Sequence, residues 1–282
     1  MSVHTDAGRA ELLADHFESC FSVPNDQPPQ ACPIGPTLEC VSCTASNVQQ
    51  LLSTLDASKS PGPDGFHPLV LKALAPVLSQ PLTELFNLSL STYSFPVDWK
   101  TGIVKPLPKS GTCASPANYR PVCLTSIVSK LLEKIIKRAI NEFMRNRNLV
   151  PANQHGFVQG RSCLTNLLLT RESWADSHER RVPVDAIFFD FSKAFDKVDH
   201  CRLLGKLAQL GIAGNLLRWI SSYLTGRSWN VRVNGHLSTP RLAPSGVPQG
   251  SVLGPLLFIL YVSDIMVSSG TSSVLYADDL KM

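Results

Sequence analysis

Val274-Leu275-Tyr276-Ala277-Asp278-Asp279 ends a short apolar run on two adjacent carboxylates, with only Leu280-Lys281-Met282 after them. Paired acids at the end of a strand have the form of half a metal site. The run Val184-Asp185-Ala186-Ile187-Phe188-Phe189 reads as a second strand and delivers Asp190, which supplies the other half. Three hard oxygen ligands of this kind suit Mg²⁺, which takes one or two carboxylates together with substrate phosphates. Two such ions about 4 Å apart serve an in-line phosphoryl displacement. The pattern points to the core of a nucleotidyl-transfer centre.

The bulk properties set limits. The chain has 282 residues, 44% of them apolar and 17% charged, which is globular material for two lobes or one large domain. The longest near-apolar run, Val252 to Val262, contains Gly254 and Pro255 and is too short to span a bilayer. His4, Asp6 and Glu11 break up any secretory leader, so the chain is expected to be intracellular, in the nucleus, the cytoplasm or both. Of eight cysteines only Cys40 and Cys43 form a Cys-x-x-Cys pair, and a closed zinc site needs a second pair.

Charge is unevenly spread. Residues 1–58 hold seven acids against the single base Arg9, whereas residues 98–147 hold ten bases against three acids. A basic stretch beside a carboxylate centre suits a polyanionic partner, although a solvated Lys-rich helix face gives the same count.

Residues 1–22 read as an amphipathic helix with Leu12, Leu13, Phe17 and Phe21 on one stripe, followed by a Pro- and Cys-rich linker over 23–43. Helices are expected at 45–56, 67–78, 80–92, 126–147, 200–210 and 214–225, the last two stopped by Gly211 and Gly226. Gly102 to Lys109 reads as a short strand ending in a basic loop. Trp229, Val231 and Val233 alternate into Asn234-Gly235, a strong hairpin signal, and Pro255 is suited to a helix's first turn. Strands and helices mix without a βαβαβ rhythm. The expectation is therefore an α+β fold, an antiparallel sheet with helices on one face. Its expected divisions are an N-terminal helix and linker (1–44), a helical extension (45–100) and a main domain (101–282).

Several separated segments resemble, in order, the motifs of reverse transcriptases. Phe189-Asp190-Phe191-Ser192-Lys193-Ala194-Phe195-Asp196 is similar to their first catalytic motif. Ser245-Gly246-Val247-Pro248-Gln249-Gly250-Ser251 is similar to their nucleotide-contacting loop, and Tyr276-Ala277-Asp278-Asp279 to their catalytic hairpin. Ser60 to Gly65, Pro108-Lys109-Ser110-Gly111, Asn118-Tyr119-Arg120-Pro121-Val122 and Gln154 to Ser162 resemble fingers motifs of the non-LTR, LINE-type branch.

That resemblance implies a right-hand polymerase with fingers and part of the palm. It implies RNA template, DNA primer and dNTPs as partners, and two Mg²⁺ ions, with Mn²⁺ as a substitute. Asp190 and Asp278 would bridge the ions, with Asp279 and the Phe191 carbonyl as further ligands. Phe195 would lie under the incoming sugar and exclude ribonucleotides by clash. Lys109 and Arg120 would hold the triphosphate, with Lys105 competing for the role of Lys109. Gln249 and Gly250 would approach the nascent base pair. Arg161, together with Lys134, Lys137 and Arg138 on the basic helix, would hold nucleic-acid backbone. Asp196, Lys197 and His200 read as structural.

The sequence departs from the family pattern at its end. Only three residues follow the Asp-Asp pair, so a missing return strand, a missing thumb and an exposed sheet edge are expected, with this chain alone weak or inactive. The alternative function is a non-catalytic nucleic-acid binder. An RNA-dependent RNA polymerase would share the acids but not Phe195, and an unrelated phosphohydrolase would leave the fingers motifs without a role.

Overall fold

A computed structural model describes residues 5–23, 35–109, 114–265 and 273–282. Most of the expected 23–43 linker, and the Ser110-Gly111 end of one fingers motif, lie outside the described residues.

In chain order the helices are α1 (Asp6–Glu18), α2 (Ala45–Ser53), α3 (Pro68–Ala73), α4 (Ala75–Ser91), α5 (Ile127–Asn146), α6 (Cys163–Glu179), α7 (His200–Gln209), α8 (Gly214–Leu224) and α9 (Gly254–Tyr261). The strands are β1 (Thr101–Pro108), β2 (Tyr119–Leu124), β3 (Phe188–Asp190), β4 (Ser228–Val233), β5 (His236–Leu237), β6 (Arg241–Leu242), β7 (Val274–Tyr276) and β8 (Asp279–Lys281). No helix among the described residues is long and apolar enough to cross a membrane.

The main core is helical, and α5 is central to it. Ser126 caps that helix, its hydroxyl accepting from the Ser129 N–H at 3.2 Å. Leu131, Leu132, Ile136 and Ile140 are fully buried on the stripe the sequence predicts. They share one cluster with Leu52, Phe86, Leu203, Trp219 and Leu257 from α2, α4, α7, α8 and α9. Glu133 is buried in the same helix, against the expectation of a charged outer face. It accepts from Ser129 Oγ (2.9 Å), Tyr223 Oη (3.3 Å) and the N–H groups of Val252 (2.7 Å) and Leu253 (3.0 Å). A buried carboxylate is tolerable when its lone pairs are filled in this way. Two of those donors are N–H groups at the start of α9, which a helix leaves unpaired.

The larger sheet runs β2-β1-β4-β5, with β6 also on β4. β1 pairs antiparallel with β2 but parallel with β4, Thr101 facing Ser228. The sheet is therefore mixed, which corrects the antiparallel expectation. A parallel neighbour needs a long crossover, and here most of the helical core lies between β1 and β4. The Asn234-Gly235 hairpin forms as expected, with φ of +45° and +90°.

α1 lies on this sheet. Leu13, Ala14 and Phe17 pack on Val104, Trp229 and Val231. Arg241 on β6 fastens the helix through Glu11 (3.3 Å), Asp15 (2.5 Å) and Glu18 (3.5 Å), which gives part of the N-terminal excess of acid a local role. Part of the expected linker is pinned too: Leu38 donates to the Gly211 carbonyl and accepts from Ala213.

The smaller sheet, β3-β8-β7, is antiparallel throughout. It corrects two expectations. The run 184–189 forms a strand only from 188 to 190, and Val184 and Ile187 are exposed. The few residues after the acids do form the return strand: β8 is the middle strand, bonded to both neighbours. β3 is an edge strand of this sheet, and its Phe188 and Phe189 are exposed.

Two helical expectations also change. The break expected near residue 79 falls at Leu74, and Pro81 sits inside α4. Proline costs a helix one hydrogen bond, and α4 continues because Thr83, Phe86 and Leu90 beyond it are buried. The 17-residue α6 lies where no helix was expected. Its buried residues are Asn166 and Thr170 while Leu164, Leu167, Leu168 and Leu169 are exposed, the inverse of the usual apolar stripe.

Candidate active site

The acids expected to act together come from elements far apart in sequence. Asp190 ends β3 and lies opposite Asp279, the first residue of β8, in the antiparallel register. Asp278 occupies the turn between β7 and β8, next to Ala277, whose φ is +57°. Cross-strand partners present their side chains on one face, about 5 Å apart at Cβ.

Asp278 is the partly buried member, and its carboxyl pKa is raised. Burial is the largest cause; the negative charges of Asp279 and Asp190 add to it, while its own backbone N–H and Arg120 oppose. The three carboxylates therefore share one electrostatic neighbourhood. Among the described residues no three acids, histidines or cysteines converge on a single ion-sized point. The donor chemistry nevertheless suits a hard divalent cation, which takes carboxylate oxygens and completes its shell with water and phosphate. Phe191, the expected carbonyl ligand, directly follows β3 with its ring partly exposed.

The hairpin is supported from behind by residues 153–156, which run beside β7. Leu275 donates to the Asn153 carbonyl (2.8 Å), and its own carbonyl accepts from the His155 N–H (2.8 Å) and from Asn166 Nδ2 of α6 (3.1 Å). Asn166 was not singled out by the sequence reading. Its role shows only once α6 is placed against β7, so the sequence alone carries no signal for it.

The loop over 245–250 is stitched to the chain after Asp190. Val247 donates to the Phe195 carbonyl (2.9 Å), Ser245 Oγ to the Asp196 carbonyl (2.7 Å) and Gly246 to the Val198 carbonyl (2.8 Å). Gln249 Nε2 donates to Asp196 Oδ1 (2.7 Å), and the His200 ring Nε2 lies 2.7 Å from the Gly246 carbonyl. Asp196 and His200 thus act as the fasteners they were expected to be. Gly250, at φ +113°, lies so close to β2 that a Cβ there would fall 2.3 Å from the Cys123 carbonyl oxygen. Phe195 is partly buried, stacked on Phe258 of α9 at 4.2 Å between centroids and edge-on to Phe157 at 6.2 Å.

The basic residues lie in several separate places. Arg120, exposed on β2, is close enough to Asp278 to favour its ionised form. Lys109 and Lys105 belong to the neighbouring strand segment; Lys105 is exposed and pairs in register with Val122. Lys134, Lys137 and Arg138 line a groove along α5 with Arg145 and Gln159. Arg145 Nη2 donates to Gln159 Oε1 at 2.8 Å, linking the groove to the segment that carries Gln154. Burial lowers the Lys137 pKa. Arg161 is part-buried and its guanidinium donates to two backbone carbonyls, those of Pro151 and Gln154.

Residues 107–282 match the family model described as reverse transcriptase (RNA-dependent DNA polymerase). Among curated proteins, the chain is 34% identical over 219 residues to the probable RNA-directed DNA polymerase from transposon BS of Drosophila melanogaster, covering 77% of the chain and 24% of that relative. It is 32% identical over 277 residues to the probable RNA-directed DNA polymerase from transposon X-element of the same organism, covering 93% and 30%. To the RNA-directed DNA polymerase from mobile element jockey it is 28% identical over 293 residues, covering 98% and 32%. The chain spans between about a quarter and a third of the length of these relatives.

Proposed function

Since the chain belongs to the reverse transcriptase family, in its non-LTR, LINE-type branch, we propose that it carries the fingers and palm of an RNA-directed DNA polymerase. The observation that supports this most is the pairing of Asp190 with Asp279 across β3 and β8, with Asp278 on the adjoining turn and Arg120 near enough to favour its ionised form. Three carboxylates and one guanidinium from three separate segments thus share one electrostatic neighbourhood.

In this reading Asp190, Asp278 and Asp279, with the Phe191 carbonyl, hold two Mg²⁺ ions, or Mn²⁺ in their place. When bound, such ions lower the pKa of a primer 3′-hydroxyl and offset charge on the leaving pyrophosphate. Arg120 binds a triphosphate oxygen pair by its planar fork, and Lys109 adds a point charge. Phe195 backs the sugar, and its stack on Phe258 fixes the ring so that a 2′-hydroxyl meets a rigid wall. Gly250 lets the loop approach β2, and Gln249 borders the base pair. The groove of Lys134, Lys137 and Arg138 tracks the nucleic-acid backbone, which predicts binding that weakens steeply with salt. Arg161 acts through the loop whose carbonyls it binds.

The test is primer extension on an RNA template with a DNA primer, dNTPs and Mg²⁺ or Mn²⁺. Extension that is lost in Asp190→Asn and that prefers dNTPs over NTPs supports the proposal. Salt-sensitive RNA binding without any extension, unchanged in Asp190→Asn, would instead make the chain a non-catalytic binder.

A further inference from the structure

The side chain of Gln154 is almost completely buried, at 1% exposure, and its amide joins the two backbones that meet beneath the acids. Oε1 accepts from the N–H groups of Gly156 (2.8 Å) and Ala277 (3.0 Å), and Nε2 donates to the Ala277 carbonyl (3.4 Å). One side chain therefore holds both polar groups of the residue that immediately precedes Asp278. Ala277 needs holding: at φ +57° it occupies the left-handed region, which costs an L residue about 1–2 kcal/mol.

The approach is close. A Cβ on Gly156 would fall 2.2 Å from the Ala277 nitrogen, so only glycine fits there without moving the turn. Behind Gln154, Arg161 Nη1 donates at 2.6 Å to the Pro151 carbonyl and at 2.6 Å to that of Gln154 itself, fixing the loop at both ends. A chain of contacts thus runs from Arg161 through Gln154 to Ala277 and the acids.

We propose that Gln154 is a positioning residue for Asp278 and Asp279, its amide setting the backbone of Ala277 and so the direction in which both carboxylates point. The inference rests on the polymerase reading for what the acids bind, but the contact itself does not. Glutamine suits the place because one oxygen must accept two N–H groups while one nitrogen donates. Glutamate would lose the donor and add a fourth negative charge beside the cluster. Methionine would keep the shape and lose all three bonds.

The test uses the full chain and Mn²⁺ alone, with affinity measured by electron paramagnetic resonance and Asp278→Asn as the control for the site. Outer-shell partners of metal ligands typically change affinity about 10- to 100-fold, so Gln154→Met is expected to weaken Mn²⁺ binding at least about 10-fold. Amide exchange in residues 274–282 should quicken in the same variant. Gly156→Ala leaves Gln154 intact and presses on the same turn, and it should change both readouts in the same direction. Mn²⁺ affinity within twofold of wild type in both variants, with unchanged exchange, would overturn the proposal. So would a wild-type affinity that Asp278→Asn leaves unaltered. Absence of primer extension by the wild-type chain would count against the polymerase reading alone, since neither readout requires synthesis.

Discussion

Gln249 Nε2 donates to Asp196 Oδ1 across 2.7 Å, so the loop over 245–250 takes its position from the chain segment that leaves Asp190. The carboxyl of Asp196 is buried, and its pKa is raised mainly by that burial, with the Gln249 bond and Lys193 opposing. A raised folded-state pKa favours folding below the unfolded carboxylate value of about 4, and the advantage is lost as pH rises through the folded value.

Asp196→Asn keeps an acceptor for Gln249 and removes the buried charge. It is expected to melt above wild type at pH 7 and to flatten the pH dependence between 4 and 7. Asp196→Leu leaves the Gln249 amide without that partner and should lower stability by about 1–3 kcal/mol. Thermal melts at pH 4.5 and 7 check both; equal wild-type and Asp196→Asn midpoints at the two pH values would contradict the first.

The histidines work in the opposite sense. Burial lowers the pKa of His155, with Arg161 adding, and that of His200, where the Gly246 carbonyl and Asp199 oppose. Their contribution to stability is complete above the ordinary histidine value of about 6.5 and is lost as pH falls through the lowered folded values. The melting point should therefore drop between pH 7.5 and 5.5, and ring ¹⁵N shifts should show both imidazoles less protonated than a free histidine at pH 6.5. A charged His155 ring at that pH would refute this.

Glu133 is expected to be the most costly single acid to remove from the core. Glu133→Ala leaves the N–H groups of Val252 and Leu253 and the Tyr223 hydroxyl without their acceptor. That should cost about 3 kcal/mol or more, whereas Glu133→Gln, which still accepts, should cost about 1 kcal/mol. Urea midpoints separate the two, and comparable losses would show that the charge matters more than the acceptor.

The acid cluster should behave differently with and without cations. In EDTA, Asp190→Asn removes one of the charges that raise the Asp278 pKa and should increase the melting temperature by roughly 1–2 °C. Added Mg²⁺ or Mn²⁺ should stabilise wild type by mass action and leave the variant nearly unchanged. A variant that melts lower than wild type in EDTA would argue against repulsion within the cluster.

The parts of the molecule legible in the sequence were those whose signal is local. Asp190 and Asp278-Asp279 follow apolar runs, α5 carries an unbroken stripe behind a Ser cap, and Asn234-Gly235 marks its own turn. What was missed depends on contacts between distant segments. α6 buries Asn166 and Thr170 because Asn166 reaches the Leu275 carbonyl and Thr170 the Lys281 ammonium, so an apolar stripe could not reveal it. Val184 and Ile187 have strand-forming side chains but remain exposed; Ile187 exchanges backbone bonds with Met282, and β3 proper begins at Phe188. Glu133 was not singled out, because its partners at the start of α9 and on α8 lie far away in sequence. Arg161 reads as a phosphate ligand by resemblance, and only the course of residues 151–154 shows which carbonyls it binds.

The parallel pairing of β1 with β4 has a consequence for biogenesis. β1 and β2 leave the ribosome early and can pair at once, but Ser228, the partner of Thr101, follows more than a hundred residues later. At ordinary synthesis rates that interval is roughly ten seconds. During it the edge of β1 that will meet β4 has no partner strand. Such non-local closure is slow and open to misassembly, so for that interval the growing chain carries an unpaired strand edge able to pair wrongly.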